Sequence, residues 1–212
     1  MKNPPAAHAA SNRAYWLKTL HQWHWISSAL CLIGMLLFAF TGITLNHAAD
    51  IGADPHVQQK VVQLPAELHT ALAHKDDEPD NALLPREVHH WLTTALDVPL
   101  PDASAEWSPE EIYLSLPRPG GDAWLRIERD SGSVEYERTD RGWISYLNDL
   151  HKGRHTGTAW KWFLDIFSVA CLVFCITGLF ILKFHAANRP STWPMVGMGL
   201  VAPLLLVILF IH

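Results

Sequence analysis

One uncharged apolar stretch constrains the chain more than any other feature. From Leu20 to His47 the sequence contains no Asp, Glu, Lys or Arg, and no charged residue occurs between Lys18 and Asp50. A helix that crosses a bilayer needs about 20 apolar residues at about 1.5 Å each. The stretch is longer than the apolar core of a cleaved signal peptide, which has about 7–15 residues. The sequence therefore predicts a retained transmembrane helix over residues 20–47.

Two further apolar stretches predict two more transmembrane helices. The first covers residues 160–184, and its uncharged centre has about 17 residues, the short end of the spanning range. The second covers residues 194–212 and contains Pro203, which membrane helices tolerate. Six of the ten Trp residues lie where apolar and polar sequence meet, as in the aromatic belts of membrane proteins. These residues are Trp16, Trp23, Trp25, Trp160, Trp162 and Trp193.

The distribution of charge predicts the orientation in the membrane. The flanks 1–19 and 183–193 contain Lys and Arg but no Asp or Glu, and all acidic residues lie between these flanks. By the positive-inside rule both flanks are expected to be cytoplasmic, as an N-terminus and as a loop over residues 185–193. In a bacterial inner membrane, residues 48–159 would then be periplasmic. His212 is expected on the periplasmic face as well.

The segment 48–159 is long enough for one small domain of the α+β class. A strand is predicted over residues 57–64, and short helices over 65–74 and 85–96, each with Pro near its first turn. From Glu111 onward, three alternating segments separated by Gly-containing turns predict an antiparallel β-meander. The helices are expected to cover one face of this sheet.

Several classes of protein are excluded by what the sequence lacks. There is no GxGxxG or GxxxxGK[ST] motif for a nucleotide. Electrons for any redox reaction must therefore come from another molecule, such as quinol or a cytoplasmic reductase. There is no basic domain, which argues against nucleic acid as a partner. Cys31, Cys171 and Cys175 all lie in apolar stretches, so the segment between the helices has no disulfide framework.

Histidine residues mark the ends of the first two predicted membrane helices. His21, His24 and His185 lie at the predicted cytoplasmic ends. Imidazole pairs from neighbouring helices are a common way to hold haem in a bundle. We therefore predict an inner haem b held by His185 and either His21 or His24.

A second set of histidines lies at the predicted outer ends. His47 ends the first helix, and His151 and His155 precede the second. This set predicts an outer haem held by His47 with His151 or His155. Zinc is less favoured, because no Cys or carboxylate converges with these histidines in the sequence. For any single residue, the alternative is a histidine that sits at the headgroup level without a ligand.

The two helices also share a short pattern. Thr41-Gly42 precedes His47, and Thr177-Gly178 precedes His185. Thr and Gly are frequent where membrane helices contact one another. The pattern therefore predicts similar packing of the two helices.

Four segments give the chain a family resemblance. They are LHQW at His21, TGITLNH ending at His47, LNDLHKGRHTG at His151, and the DSGSV turn. In these segments the chain resembles the PepSY-associated transmembrane proteins of bacterial inner membranes. The resemblance implies a helix bundle with a periplasmic PepSY domain, and a role in iron uptake as a haem-containing reductase of ferric siderophores. By motif, His21 and His151 carry over as haem-ligand candidates.

The resemblance also has a limit. Larger members of that family have four or more helices and larger outer domains, whereas this chain has three predicted helices and one short domain. A full complement of two haems is therefore expected only if the protein forms a homo-oligomer. The leading hypothesis is a membrane haem protein that passes electrons outward to an iron(III) chelate. The alternatives are a membrane-anchored PepSY module that binds a peptide or protein, or an accessory subunit of a larger transporter.

Overall fold

The computed structural model describes residues 5–52, 54–73 and 81–211, apart from the side chains of residues 5–11 and 73. The predicted position of His212 lies outside the described residues. The chain divides into two compact units. A helical unit contains the residues up to Leu37 and those from Trp162 onward, and a second unit contains Phe38–Lys161.

The second unit contains six strands and short helices, and the long helices are the first element and the last two α-helices in chain order. In chain order the elements are α1 Pro5–Asn46, β1 His56–Gln63, α2 Ala66–Ala73, β2 Asn81–Leu83, α3 Arg86–Leu96, β3 Ser104–Trp107, β4 Glu111–Ser115, β5 Gly121–Glu128, β6 Ser133–Asp140, α4 Gly142–Lys152, α5 Gly157–His185 and α6 Thr192–Phe210. A short 3-10 turn, Ala186–Asn188, follows α5.

Within the described residues, three helices are long and apolar enough to cross a membrane, in agreement with the three predicted spans. The apolar segments run over Asn12–Asn46, Gly157–Asn188 and Thr192–Phe210. The chain is therefore a membrane protein. Helix α1 is longer than the predicted span, because it also includes most of the basic N-terminal segment. That segment is rich in Ala, the strongest helix former, and Pro5 stands at the start, where a helix tolerates proline.

Small residues of α1 face α5 inside the helical unit. A Cβ atom at Gly34 would overlap the ring of Phe167, so a larger residue there requires that ring to move. Ser27 and Cys31, on the same part of α1, are buried. Helix α6 buries none of its residues. Small residues are frequent where membrane helices contact one another.

A six-stranded antiparallel sheet forms the centre of the second unit, in the order β1-β6-β5-β4-β3-β2. The predicted meander corresponds to β4, β5 and β6, and the predicted first strand corresponds to β1, which pairs with β6. The sheet is nevertheless larger than predicted. Strands β2 and β3 have three and four residues, too few for a pattern of alternating side chains to be recognised.

One face of the sheet carries the hydrophobic core. Helix α3 buries Val88, Leu92 and Leu96, which lie four residues apart and therefore on one side of the helix. They belong to the same buried cluster as alternate residues of the sheet. These include Ile112, Leu114, Leu125, Ile127 and Val134. The predicted helical cover on one face of the sheet is present.

Helix α4 was not predicted from the sequence. It is anchored to the turn between β4 and β5, where Gly120 has a φ of 73°. A Cβ atom at Gly120 would lie 2.7 Å from the Cβ of Tyr146, and the backbone N–H of Gly120 donates to Asp149 Oδ2 at 2.9 Å. A left-handed residue in such close contact favours glycine. The turn thus fixes α4, which carries His151.

A carboxylate holds the start of α4. Asp140 Oδ1 accepts the backbone N–H of Gly142 at 2.9 Å, and Oδ2 accepts Arg118 Nη2 at 2.9 Å. The bond from Gly142, with the guanidinium of Arg118, lowers the pKa of Asp140 below its usual value. Asp140 therefore joins the end of β6 to the first turn of α4.

Candidate histidine sites

His24 lies between α1 and α5 in the helical unit. Its Nδ1 is 3.1 Å from Thr177 Oγ1 and 3.1 Å from the carbonyl oxygen of Phe174. The imidazole stacks on the Phe174 ring, with centroids 4.6 Å apart and planes at 14°. A Cβ atom at Gly178 would lie 3.2 Å from His24 Cε1, so glycine leaves room for the ring.

His151 has the same surroundings in the other unit. Helix α4 carries it to the last turns of α1, where its Nδ1 is 2.6 Å from Thr41 Oγ1. The Phe38 ring lies 4.9 Å from the imidazole, with the planes at 44°. A Cβ atom at Gly42 would be 3.7 Å from His151 Cε1. A neighbouring residue of α4, Asn148, accepts the hydroxyl of Thr44 at 2.9 Å.

The two sets of surroundings come from one repeated motif, Phe-x-x-Thr-Gly. Residues 38–42 read FAFTG and residues 174–178 read FCITG. Positions i, i+3 and i+4 share a helix face, so Phe, Thr and Gly meet the same ring. We name these contacts the His24 cradle (Phe174, Thr177 and Gly178) and the His151 cradle (Phe38, Thr41 and Gly42).

The cradles agree with the similar packing predicted from the shared Thr-Gly pattern, and they identify the residues that the two pairs contact. Each pair contacts a histidine from a different helix, and not the histidine that ends its own helix. The sequence argument missed the two Phe residues. The available signal was that Phe38 and Phe174 each stand three residues before the Thr, one helical turn away.

A carbonyl group determines the tautomer of His24. The carbonyl oxygen of Phe174, 3.1 Å from His24 Nδ1, can only accept, so Nδ1 donates and Nε2 of the neutral ring keeps its lone pair. The hydroxyl of Thr41, 2.6 Å from His151 Nδ1, can donate or accept, so this bond holds the ring of His151 without selecting its tautomer.

His21 and His185 bring their rings together in the helical unit. Their centroids are 6.0 Å apart, with the ring planes at 82°, and both side chains are exposed. His21 Nδ1 is 2.8 Å from the carbonyl of Leu17, and His185 Nδ1 is 2.9 Å from that of Ile181. A carbonyl oxygen only accepts, so both Nδ1 atoms carry the proton. Both Nε2 atoms are left with a lone pair for a metal.

The centroid separation of this pair is compatible with two imidazole ligands of one iron. A metal lies about 2.0–2.1 Å from an imidazole nitrogen, so two rings on opposite sides of one ion have centroids about 6 Å apart. A ligating histidine usually donates its other N–H to a carbonyl or carboxylate, which orients the ring. His21 and His185 meet both conditions.

The donor set also distinguishes haem from a bare metal ion. Among the residues described, no group of three or more His, Cys, Asp or Glu side chains could hold a metal. A structural zinc ion needs four ligands, and a catalytic one needs three from the protein. A haem needs only one or two axial ligands from the protein, because its macrocycle supplies the others. Two imidazoles therefore suit haem better than zinc.

The remaining predicted ligands have surroundings of their own. His47 Nδ1 is 3.2 Å from Asp50 Oδ2, and its side chain is 58% exposed. His47 follows Thr41 by six residues, about 9 Å along a helix. His155 is exposed and has a φ of 57° in the turn after α4. His151 is held by Thr41.

The comparisons with known proteins give one match. A family model described as PepSY_TM-like matches residues 15–212, nearly the whole chain. No curated protein and no solved structure matches the chain.

Proposed function

Because the chain belongs to the PepSY_TM-like family, we propose that this membrane protein is a b-type haem protein of a bacterial inner membrane. It passes electrons outward, to a ferric siderophore or another iron(III) chelate in the periplasm. The observation that carries the proposal is the His21–His185 pair. Two exposed imidazoles, each with Nδ1 bound to a carbonyl of its own helix, are prepared to ligate through Nε2.

In this proposal His21 and His185 hold the inner haem. A bound haem supplies a one-electron carrier that changes between ferric and ferrous iron. The carbonyl groups of Leu17 and Ile181 keep both rings in one tautomer and increase the basicity of Nε2. His24 lies one turn from His21 and is held by Phe174 and Thr177. We assign it to positioning α1 against α5 rather than to ligation.

For an outer haem we propose His151 as one ligand, with His47 or His155 as the other. Thr41 holds His151 through Nδ1, so Nε2 is the ring nitrogen that this bond leaves for a ligand. His47 and His155 are exposed, so both rings have room to reorient. A homo-oligomer is the other way to complete this site, since a second copy would bring its own histidines.

The direction of electron flow follows from the proposed orientation. Quinol in the bilayer, or a cytoplasmic reductase, would be the donor, because the chain has no nucleotide motif. Each electron that leaves the protein reduces one Fe³⁺ of a chelate to Fe²⁺, and a quinol that supplies two electrons releases two protons. The basic flanks 1–19 and 183–193 support a cytoplasmic position for the inner pair.

The test is spectroscopic and chemical. The purified full-length protein should contain iron and show b-type haem bands that sharpen on reduction with dithionite. Proteoliposomes that contain quinol should reduce an external iron(III) chelate, detected with a coloured Fe²⁺ chelator. His90→Ala is the matched control, because His90 is exposed on α3 and lies in neither pair. Protein without haem bands and without iron contradicts the proposal.

A second candidate function is a binding or regulatory module. The observation in its favour is the open face of the sheet, where Tyr113 and Trp124 stack with centroids 6.3 Å apart. Asp122 and Glu106 surround Tyr113 and, after burial, are the main causes of its raised pKa. If this is the function, Trp124→Ala abolishes it and His21→Ala leaves it intact. The haem proposal predicts the reverse.

A further inference from the structure

The two edges of the sheet are very different in length. Strand β2, at one edge, has three residues, whereas β1, at the other edge, has eight and pairs with β6 along its whole length. Natural sheets protect their edges with short strands, prolines, bulges or charged side chains. Strand β2 is protected by its shortness. Strand β1 is a long, regular edge.

The free backbone groups of β1 can be identified from the register. Leu64 N–H donates to the carbonyl of Gly132 at 2.9 Å, and this pair continues the register of Gln63 with Ser133. In an antiparallel ladder, residues alternate between bonded and non-bonded pairs. His56, Gln58, Lys60 and Val62 are therefore bonded to β6. The N–H and C=O groups that point to the free edge belong to Val57, Gln59, Val61 and Gln63.

The side chains of β1 do little to protect this edge. Val57 and Val61 are 53% and 66% exposed, although both are apolar. Lys60 is the one charged residue of the strand, and its ammonium is bound to the carbonyl of Leu96 on α3. It therefore lies on the helix-covered face of the sheet and does not guard the edge. Pro55 stands just before the strand and limits pairing there.

We propose that β1 is an interface between two copies of this chain, which pair edge to edge as antiparallel strands about a two-fold axis at Gln59. In this register Val57 lies opposite Val61 of the second copy, and Gln59 lies opposite Gln59. These pairs use the free N–H and C=O groups identified above. The sheet of each copy continues into the other, so twelve strands form one sheet across the axis.

Charge selects this register over its neighbour. An axis at Lys60 would place the two Lys60 residues directly opposite each other, which destabilises a strand pair. An axis at Gln59 places Lys60 opposite Gln58, and the β1 sequence HVQQKVVQ contains no acidic residue. Confinement of both copies to one membrane raises their effective concentration. A second copy is therefore a partner that is always available to this edge.

Disulfide cross-linking in the membrane tests the interface. Gln59→Cys places two thiols at the axis, where opposite Cα atoms of a bonded pair are about 5.5 Å apart, within reach of a disulfide. Gln63→Cys is the matched control, because Gln63 also points its backbone to the free edge but lies about 27 Å from its own copy across the axis. Native Cys31, Cys171 and Cys175 remain in both variants, so any cross-link through them appears in both.

The proposal expects Gln59→Cys to form a dimer at least tenfold faster than Gln63→Cys under mild oxidation. Equal rates for the two variants would mean random collision and would overturn the interface. If Val61→Cys forms the cross-linked dimer faster than Gln59→Cys, the register with its axis at Gln59 is overturned.

A backbone variant tests the interface without added cysteine. Gln59→Pro removes an N–H that points to the free edge and leaves the backbone bonds to β6 in place, whereas Gln59→Thr keeps that N–H. Both variants lose the side-chain bond from Gln59 to Glu137 of β6, so they differ in the backbone group. In lipid nanodiscs, light scattering should find dimers of the wild type and of Gln59→Thr. The dimer of Gln59→Pro should be weaker by a factor of at least about ten, since two hydrogen bonds are lost per dimer. A wild-type chain that stays monomeric in lipid would overturn the proposal, and so would an unchanged Gln59→Pro dimer.

Discussion

The His24 and His151 cradles have the same three contacts but different neighbours. Each ring meets a Phe ring, a Thr hydroxyl and a Gly. In the unit of the His24 cradle, His21 and His185 lie with their rings 6.0 Å apart. In the unit of the His151 cradle, His47 Nδ1 lies 3.2 Å from Asp50 Oδ2. The difference indicates that the cradle contacts and the His21–His185 pair are separate features.

The largest expected effect separates the pair from the cradle. His21→Ala or His185→Ala should remove the inner haem almost completely, because one ligand of the pair is lost. His24→Ala should keep most of that haem, since it removes a contact between α1 and α5 and not a ligand. The measurement is the haem-to-protein ratio of each purified variant. Equal loss in all three variants would make His24 a ligand and end the distinction.

Much of the fold could be predicted from the sequence, because its determinants are local. Uncharged stretches of about 20 residues predict membrane helices from composition alone. The alternating side chains of β5 and β6 predict strands in the same way. Strand β2 could not be predicted, because three residues are too few to show alternation. Helix α4 was missed although it has one apolar side. Its position depends on the Gly120 turn, which is a contact far away in the sequence.

The histidine sites could be predicted only in part. Helix ends locate His21 and His185 near each other by topology, and the structure brings their rings together. The assignment of His151 to Thr41 depends on the direction of α4, and nothing local in LNDLHKG specifies it. The repeated Phe-x-x-Thr-Gly motif is visible in the sequence, but it does not indicate which histidine ring it contacts.

The second prediction concerns the two Thr residues. Thr41→Val should lower the free energy of unfolding by about 1–3 kcal/mol, because Nδ1 of His151 loses its hydrogen-bond partner in a partly buried site. Thr177→Val should cost about 0.6 kcal/mol, since His24 retains the carbonyl of Phe174. Unfolding by SDS measures both. Thr94→Val is the control, because its exposed hydroxyl bonds only within α3. A larger cost at Thr177 would contradict this ranking.

The third prediction concerns the two Gly residues. A Cβ atom would lie 3.2 Å from His24 at Gly178 and 3.7 Å from His151 at Gly42. Gly42→Ala should therefore be tolerated, with a change below about 0.5 kcal/mol. Gly178→Ala should cost about 1 kcal/mol, because the ring must move against Phe174. The same SDS titration compares them. If Gly42→Ala is the more harmful change, the His151 cradle is tighter than the distances indicate.

The smallest expected effect is the pH dependence of the stability that Asp140 gives to the start of α4, the helix that carries His151. The pKa of Asp140 is lowered in the folded protein, by the N–H of Gly142 and then by Arg118. Its stabilisation is therefore present above the ordinary pKa of 3.8 and is lost as the pH falls through the lower folded value. Asp140→Asn should be less stable than the wild type at pH 7, and this difference should vanish in acid. A difference that persists once the carboxyl group of Asp140 is protonated in the folded protein would mean that the carboxylate charge is not its cause.

Rescue by free imidazole tests the central claim most directly. In His185→Gly and His21→Gly the deleted ring leaves a gap beside a remaining ligand, and added imidazole can enter it and bind the iron. The account predicts that each variant is purified with little haem and regains the six-coordinate haem spectrum when haem and imidazole are supplied together. His24→Gly should keep its haem spectrum without imidazole. Haem that is retained in full by the double variant His21→Gly/His185→Gly would contradict the account.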